Sequence, residues 1–230
     1  MLEDRWGDVA LSIYHHPAHD YNLDRMVEGM KASLKYFTAQ FGAYPDEQLR
    51  IVEFPRYGGF GHAHPHTIAF AEDAFLSRVN GDEIDQPFYG TAHQVAHQWW
   101  GGMVSGAPVR GRSFLSESLA NYSAMMVTEK KYGAEVARRV YNFHLGLYLR
   151  GRAREGGEVP LLEVSDQSYI AYRKGALAMY ALRARIGEAA VNTALRRYVE
   201  KLAARGRRSR RRSTCSPSCA PSRPTRSGTC

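Results

Sequence analysis

His93 and His97 stand four residues apart in Thr91-Ala92-His93-Gln94-Val95-Ala96-His97-Gln98-Trp99-Trp100-Gly101. Residues four apart on a helix are offset by about 40° around its axis, so both imidazoles leave one face, one turn apart, and can chelate one ion. Zinc takes neutral imidazole nitrogen at about 2.0–2.1 Å, and a catalytic site needs three protein ligands with a fourth position left to water. The candidate third ligand is Glu117 in Phe114-Leu115-Ser116-Glu117-Ser118-Leu119-Ala120-Asn121-Tyr122, near the start of the next helical stretch. Asn121, four residues on, shares the Glu117 face, and its amide could orient a ligand. Each feature also has a plainer reading: an incidental histidine pair, Trp99 and Trp100 as core, and Glu117 as a first-turn acid favoured by the helix dipole.

Other polar clusters are weaker candidates. His62, His64 and His66 alternate and could form a second metal site with Glu72, although a polar loop beside the cleft suits them better. His15, His16 and His19 flank Pro17 and read as surface loop. Tyr169 either lines the same cleft as Tyr172 or packs, and Arg173 and Lys174 read as a solvated face that could meet a peptide carboxylate if it lined a cleft.

The elements that must carry these residues follow from periodicity. Val9–Tyr14, Leu49–Phe54 and Thr67–Phe70 read as short strands, the second ended by Pro55. Met26, Met30, Leu34, Phe37 and Phe41 recur at three- and four-residue steps, which predicts an amphipathic helix over Leu23–Phe41 ended by Gly42. From Asp85 on the pattern is helical, over 86–103, 113–132, 134–150, 171–186 and 188–204. An antiparallel pair of the first two, joined by the loop around Gly106–Gly111, would bring Glu117 back over the histidines.

The 230 residues are 44% hydrophobic, enough for one packed domain with a short appendage. The formal net charge of +8 is lopsided: the last 30 residues hold nine of the 31 bases and no acid, leaving 22 bases against 23 acids before them. All three cysteines lie in that tail, so the body can build neither a disulfide framework nor a cysteine metal site. The expected division is a domain over residues 1–204 and a disordered basic tail over 205–230, read as the product of a shifted reading frame or else as a solvated arm. The chain opens without a signal peptide and has no apolar run long enough to span a bilayer, so as written it reads as cytoplasmic.

The segment from Ala92 to Gly101 resembles the zinc signature His-Glu-x-x-His-x-Trp of the aminopeptidase N family of gluzincins. The Leu115-Ser116-Glu117 segment resembles its third-ligand motif. Tyr172-Arg173-Lys174-Gly175 resembles its Tyr-x-Lys-Gly, whose tyrosine stabilises the oxyanion of the tetrahedral intermediate. Together the motifs cover roughly residues 85 to 190. The resemblance implies a thermolysin-like zincin catalytic domain of α+β class, with a small N-terminal mixed sheet followed by a mainly helical lobe. It implies Zn2+ as cofactor, His93, His97 and Glu117 as ligands, and hydrolysis of peptide bonds by zinc-activated water.

Three departures qualify that picture. Nineteen residues separate His97 from Glu117. That spacing and the Ser-Glu-Ser-Leu-Ala wording resemble a bacterial membrane-associated branch fused to permease-like helices, which makes the chain read as a fragment of a longer parent with a possible membrane-embedded partner. The family's Gly-x-Met-Glu-Asn, whose glutamate grips a free amine, is replaced by Phe60-Gly61-His62-Ala63-His64-Pro65-His66-Thr67-Ile68. Aminopeptidase specificity is thereby put in question. Gln94 occupies the place of the general-base glutamate and has no group that titrates near neutral pH. Two readings follow: a metallopeptidase with impaired activity, or an inactive pseudopeptidase that binds peptides or a protein partner. A nucleic-acid arm in the tail is a third reading, and nucleic acid is not the expected partner.

Overall fold

Alternation decides the sheet. In β2 (Val9–Tyr14) Val9, Leu11 and Ile13 point inward and are buried, and in β3 (Gln48–Phe54) Leu49 and Ile51 do the same. The computed structural model of the chain describes residues 1–213 except 57, 60, 82, 83 and 107, and side chains as far as Leu202. Two strands join those expected: β1 (Leu2–Trp6) and β4 (Gly61–His64), with β5 over Thr67–Ala71. The sheet order is β1-β2-β3-β5-β4, with β2, β3 and β5 parallel and both edge strands antiparallel to their neighbours. Ile13, Ile51 and Ile68 sit in register across the parallel centre, all fully buried.

Helix α1 (Leu23–Phe41) makes the crossover from β2 to β3, and Met26, Met30, Leu34, Phe37 and Phe41 form its fully buried stripe. That stripe packs against α3 (Gln86–Ala96), which follows the short α2 (Glu72–Leu76). The chain then runs through a π-helical turn (Phe114–Ser118) into α4 (Leu119–Glu155), a second π-helical turn (Tyr169–Lys174), α5 (Gly175–Ile186) and α6 (Glu188–Ser213). The result is α+β, a small mixed sheet followed by a mainly helical lobe. Among the described residues no helix is long and apolar enough to cross a membrane.

Three expected boundaries move. The helix expected over 86–103 ends at Ala96, where the backbone bonds first tighten to three residues, Gln98 N–H to Val95 O and Trp99 N–H to Ala96 O, and then widen to five, Gly102 N–H to His97 O, Met103 N–H to Gln98 O and Val104 N–H to Trp99 O. Gly101, at φ +112°, lets this wide turn close. The joint expected between 113–132 and 134–150 does fall at Gly133, whose φ of +85° and ψ of 177° are not helical, but α4 starts only at Leu119, after the π-helical turn, and runs on to Glu155. Helix α6 continues nine residues past the expected boundary at Ala204, as arginine's helix propensity allows. From residue 214 on, the expected disordered tail and its frame-shifted reading lie outside the described residues.

Candidate metal centre

Helix α3 is anchored at its start. The Asp85 carboxylate caps it by accepting from Phe88 N–H at 3.0 Å, and it also meets Arg25 at 2.5 Å and the Tyr132 hydroxyl at 2.9 Å. Two turns later His93 and the C-capping His97 leave one face, with Nε2 atoms 3.1 Å apart. Glu117, in the π-helical turn before α4, brings Oε2 to 3.5 Å from His93 Nε2 and 3.4 Å from His97 Nε2. A tetrahedron whose vertices lie about 2.0–2.1 Å from its centre has edges of roughly 3.3–3.4 Å, so these three atoms have the spacing of three ligands around one zinc-sized ion. His97 Nδ1 lies 2.9 Å from the Trp100 carbonyl, which can only accept, so the proton sits on Nδ1 and the Nε2 lone pair faces the other donors. Glu117 Oε2 is buried without a hydrogen-bond partner among the described residues, which suits an oxygen reserved for a cation.

The electrostatics agree. Burial alone would raise the Glu117 carboxyl, but the two imidazoles overcome it and hold the group well below the usual carboxylate range. Burial also pulls both histidines down. It prevails at His93, which is lowered, whereas at His97 the Glu117 carboxylate outweighs it and the ring is raised.

A cleft of about 610 Å³ opens on these residues. Tyr172, from the second π-helical turn, lines it with its ring centre 6.4 Å from that of His93. Burial first, and then the Glu117 charge, push its hydroxyl up to about 12. Ser118 Oγ donates to Ala171 O at 2.6 Å, and a Cβ at Gly175 would lie 1.9 Å from that oxygen; the glycine of Tyr-Arg-Lys-Gly is thus what lets the two π-helical turns meet.

The opposite wall is β4, whose His62 and His64 also line the cleft. Gln94 Nε2 donates to Gly61 O at 3.1 Å, while its Oε1 is buried without a partner among the described residues. Gln98, which the sequence did not single out, clamps the same hairpin: its Nε2 donates to His64 O at 3.0 Å and its Oε1 accepts from His66 N–H at 2.9 Å. His62, His64 and His66 do not converge with Glu72 as a metal cluster among the described residues. Phe60, the first residue of that segment, lies outside them.

Several expectations change. The Asn121 amide donates to the backbone carbonyl of Glu117 at 3.0 Å, not to its carboxylate, because helical spacing puts residue 121 beside that carbonyl. Its Oδ1 accepts from the Tyr89 hydroxyl at 3.1 Å, which lies 2.7 Å from Nε2 of the fully buried His144. Arg173 Nη1, at 3.3 Å, donates to His144 Nδ1, and the guanidinium stacks over Tyr172 at 6.0 Å; half-buried, it is not a solvated face. Lys174 pairs with Glu158 at 2.8 Å. Tyr169 packs in a separate small cluster and donates to Gly157 O at 3.0 Å. His19 lies in the loop expected there and meets Glu53 at 2.5 Å.

The sequence profile of the peptidase family M1 domain matches residues 21–210. By structure the chain is similar to an M1 zinc metallopeptidase from Deinococcus radiodurans, with a TM-score of 0.60 and 21% identity over 86% of this chain and 41% of that one. It is similar to a mutant M1 zinc metallopeptidase from the same organism bound to a Tyr-Ser-Ala substrate, with a TM-score of 0.60 and 21% identity over 88% and 44%. The chain spans about two fifths of the length of these solved structures. No curated protein matches it by sequence.

Proposed function

The chain belongs to peptidase family M1, and from that premise we propose that it is a zinc-binding metallopeptidase domain in which His93, His97 and Glu117 hold the ion and Gln94 stands in the general-base position. The observation that carries this reading is the convergence of two Nε2 atoms and one carboxylate oxygen at separations of 3.1, 3.5 and 3.4 Å. Zinc, when bound, supplies Lewis-acid polarisation of a peptide carbonyl and acidification of water. Tyr172, protonated at neutral pH, donates to the oxyanion that develops on the scissile carbonyl. Gln94 Oε1 can accept a hydrogen bond and align a water, but it cannot take a proton. Arg173, His144, Tyr89 and Asn121 form the hydrogen-bonded chain that fixes the Glu117 turn from behind.

One observation favours the reading of a binding module with little turnover. Gln94 uses its amide N–H on Gly61 O, a bond that a glutamate carboxylate cannot make, so the cleft is built around the amide. The ligand is a peptide or an extended protein segment, and the solved neighbour bound to Tyr-Ser-Ala supports a short one. The 19-residue spacing between His97 and Glu117 supports a parent of the membrane-associated branch, with a permease-like partner in the bilayer. The test is zinc content after desalting, together with peptide cleavage by the chain and by Gln94→Glu. At least one zinc in both, of which Glu117→Ala loses one equivalent, with efficient cleavage only after the Gln94→Glu substitution, is the expected result. Zinc retention unaffected by Glu117→Ala would overturn the assignment.

A further inference from the structure

Three potential ligands converge a second time, away from the cleft. His19 lies between β2 and α1, Glu53 on β3 and Glu72 at the first residue of α2, and each offers one ligand atom within 4.8 Å of the other two. Their cavity, about 380 Å³, shares no lining residue with the Gln94 cleft, and His15 and His16 also line it. The Glu53 side chain is only 7% exposed; its Oε1 lies 2.5 Å from His19 Nδ1 and its Oε2 accepts from His16 N–H at 2.6 Å. Glu72 Oε1 accepts from Arg56 N–H at 3.3 Å, whereas the Arg56 guanidinium turns away to Asp73 at 3.2 Å. Two carboxylates therefore gather beside one imidazole, and the neighbouring guanidinium serves a different acid. The two carboxylates repel one another, and a bound cation relieves that repulsion.

We propose that His19, Glu53 and Glu72 form a second divalent-metal site, of a kind that takes a transition metal of the zinc and manganese class. One imidazole nitrogen with two carboxylate oxygens suits those ions, whereas Ca2+ and Mg2+ prefer all-oxygen shells. The ion would join the segment before α1 to β3 and α2, beside the Asn22 amide that already donates to the Ala74, Phe75 and Ser77 carbonyls, so its role is to hold structure. The site goes beyond the proposed function, whose ligands lie on α3, at its C-cap and in the turn before α4.

Mn2+ is the probe, because the tail cysteines compete for it far less than for zinc. Bound Mn2+ per full-length chain is counted by electron paramagnetic resonance of the free ion during titration, with circular dichroism reporting the fold. His19→Ala and the shape-preserving Glu72→Gln should each remove one equivalent, and His97→Ala should retain the equivalent that those two lose. Unchanged Mn2+ binding in both His19→Ala and Glu72→Gln, or no Mn2+ bound to the His97→Ala chain, would overturn the proposal.

Discussion

Gln94 Nε2 donates to Gly61 O at 3.1 Å, tying the helix that carries both candidate histidine ligands to the edge strand that forms the opposite wall of the cleft. The bond joins two neutral groups, so it contributes about 1 kcal/mol to stability. Its chemical consequence is larger, since it is made by the amide of a side chain that stands where a proton acceptor is needed.

Gln94→Glu should therefore raise the cleavage rate of short peptides by about 10²–10⁴-fold in the zinc-loaded chain. The same change should lower the unfolding free energy by about 1 kcal/mol through loss of the Gly61 bond. Initial rates and urea unfolding measure the two effects separately. No gain in rate, with zinc bound and the fold intact, would show that residue 94 is not what limits turnover.

Tyr172→Phe, introduced into the Gln94→Glu chain, should reduce kcat by about 10²–10³-fold while zinc content stays at its previous level. The hydroxyl is absent from the ligand set, so metal loss in this variant would point to a structural role for the tyrosine instead.

His144 gives the fold a pH dependence. Burial first, and then the charges of Arg173 and His93, hold it down at about 3, against about 6.5 for an unfolded histidine. Between those values the unfolded chain binds a proton that the folded chain does not. Stability is thus full above about pH 6.5 and falls as pH drops through the window, by about 1.4 kcal/mol per unit. His144→Gln removes the titrating group, and denaturant unfolding at pH 7.5, 6 and 5 should show a shallower loss than in the parent. Parallel pH dependences would contradict the assignment of a neutral buried ring.

The contact between the two π-helical turns rests on a missing Cβ. Gly175→Ala would put a carbon 1.9 Å from Ser118 Oγ and 2.5 Å from Ser118 Cβ, so a destabilisation of about 1–3 kcal/mol is expected, read as a lower Tm. Combining it with Ser118→Gly should recover much of the loss, because the two changes share one volume. An additive double variant would mean that strain lies elsewhere.

What could be read from the sequence depended on whether a signal was periodic or conformational. The α1 stripe of Met26, Met30, Leu34, Phe37 and Phe41 is a 3.6-residue pattern with a glycine stop, and the helix has the expected ends. Strand β1 has polar Glu3 and Arg5 on its outer face and β4 is four residues long, so neither offered an apolar run to find. The end of α3 was invisible because Gln98, Trp99 and Trp100 continue a helical pattern, while the chain there turns through bonds that span three and then five residues. At the site, His93, His97, Glu117 and Tyr172 were legible as motif words. Gln98, Tyr89 and His144 were not, since a lone glutamine, tyrosine or histidine becomes informative only when folding sets it against another segment. His19 and Glu53 are 34 residues apart in sequence and meet only because α1 crosses from β2 to β3.

X-ray absorption at the zinc edge sees directly which atoms hold zinc. In the His19→Ala chain carrying one equivalent of zinc, it should report nitrogen and oxygen neighbours at about 2.0–2.1 Å with imidazole scattering that falls in His93→Ala. A sulfur shell at about 2.3 Å, or imidazole scattering unchanged by loss of His93, would place the ion elsewhere and contradict the assignment.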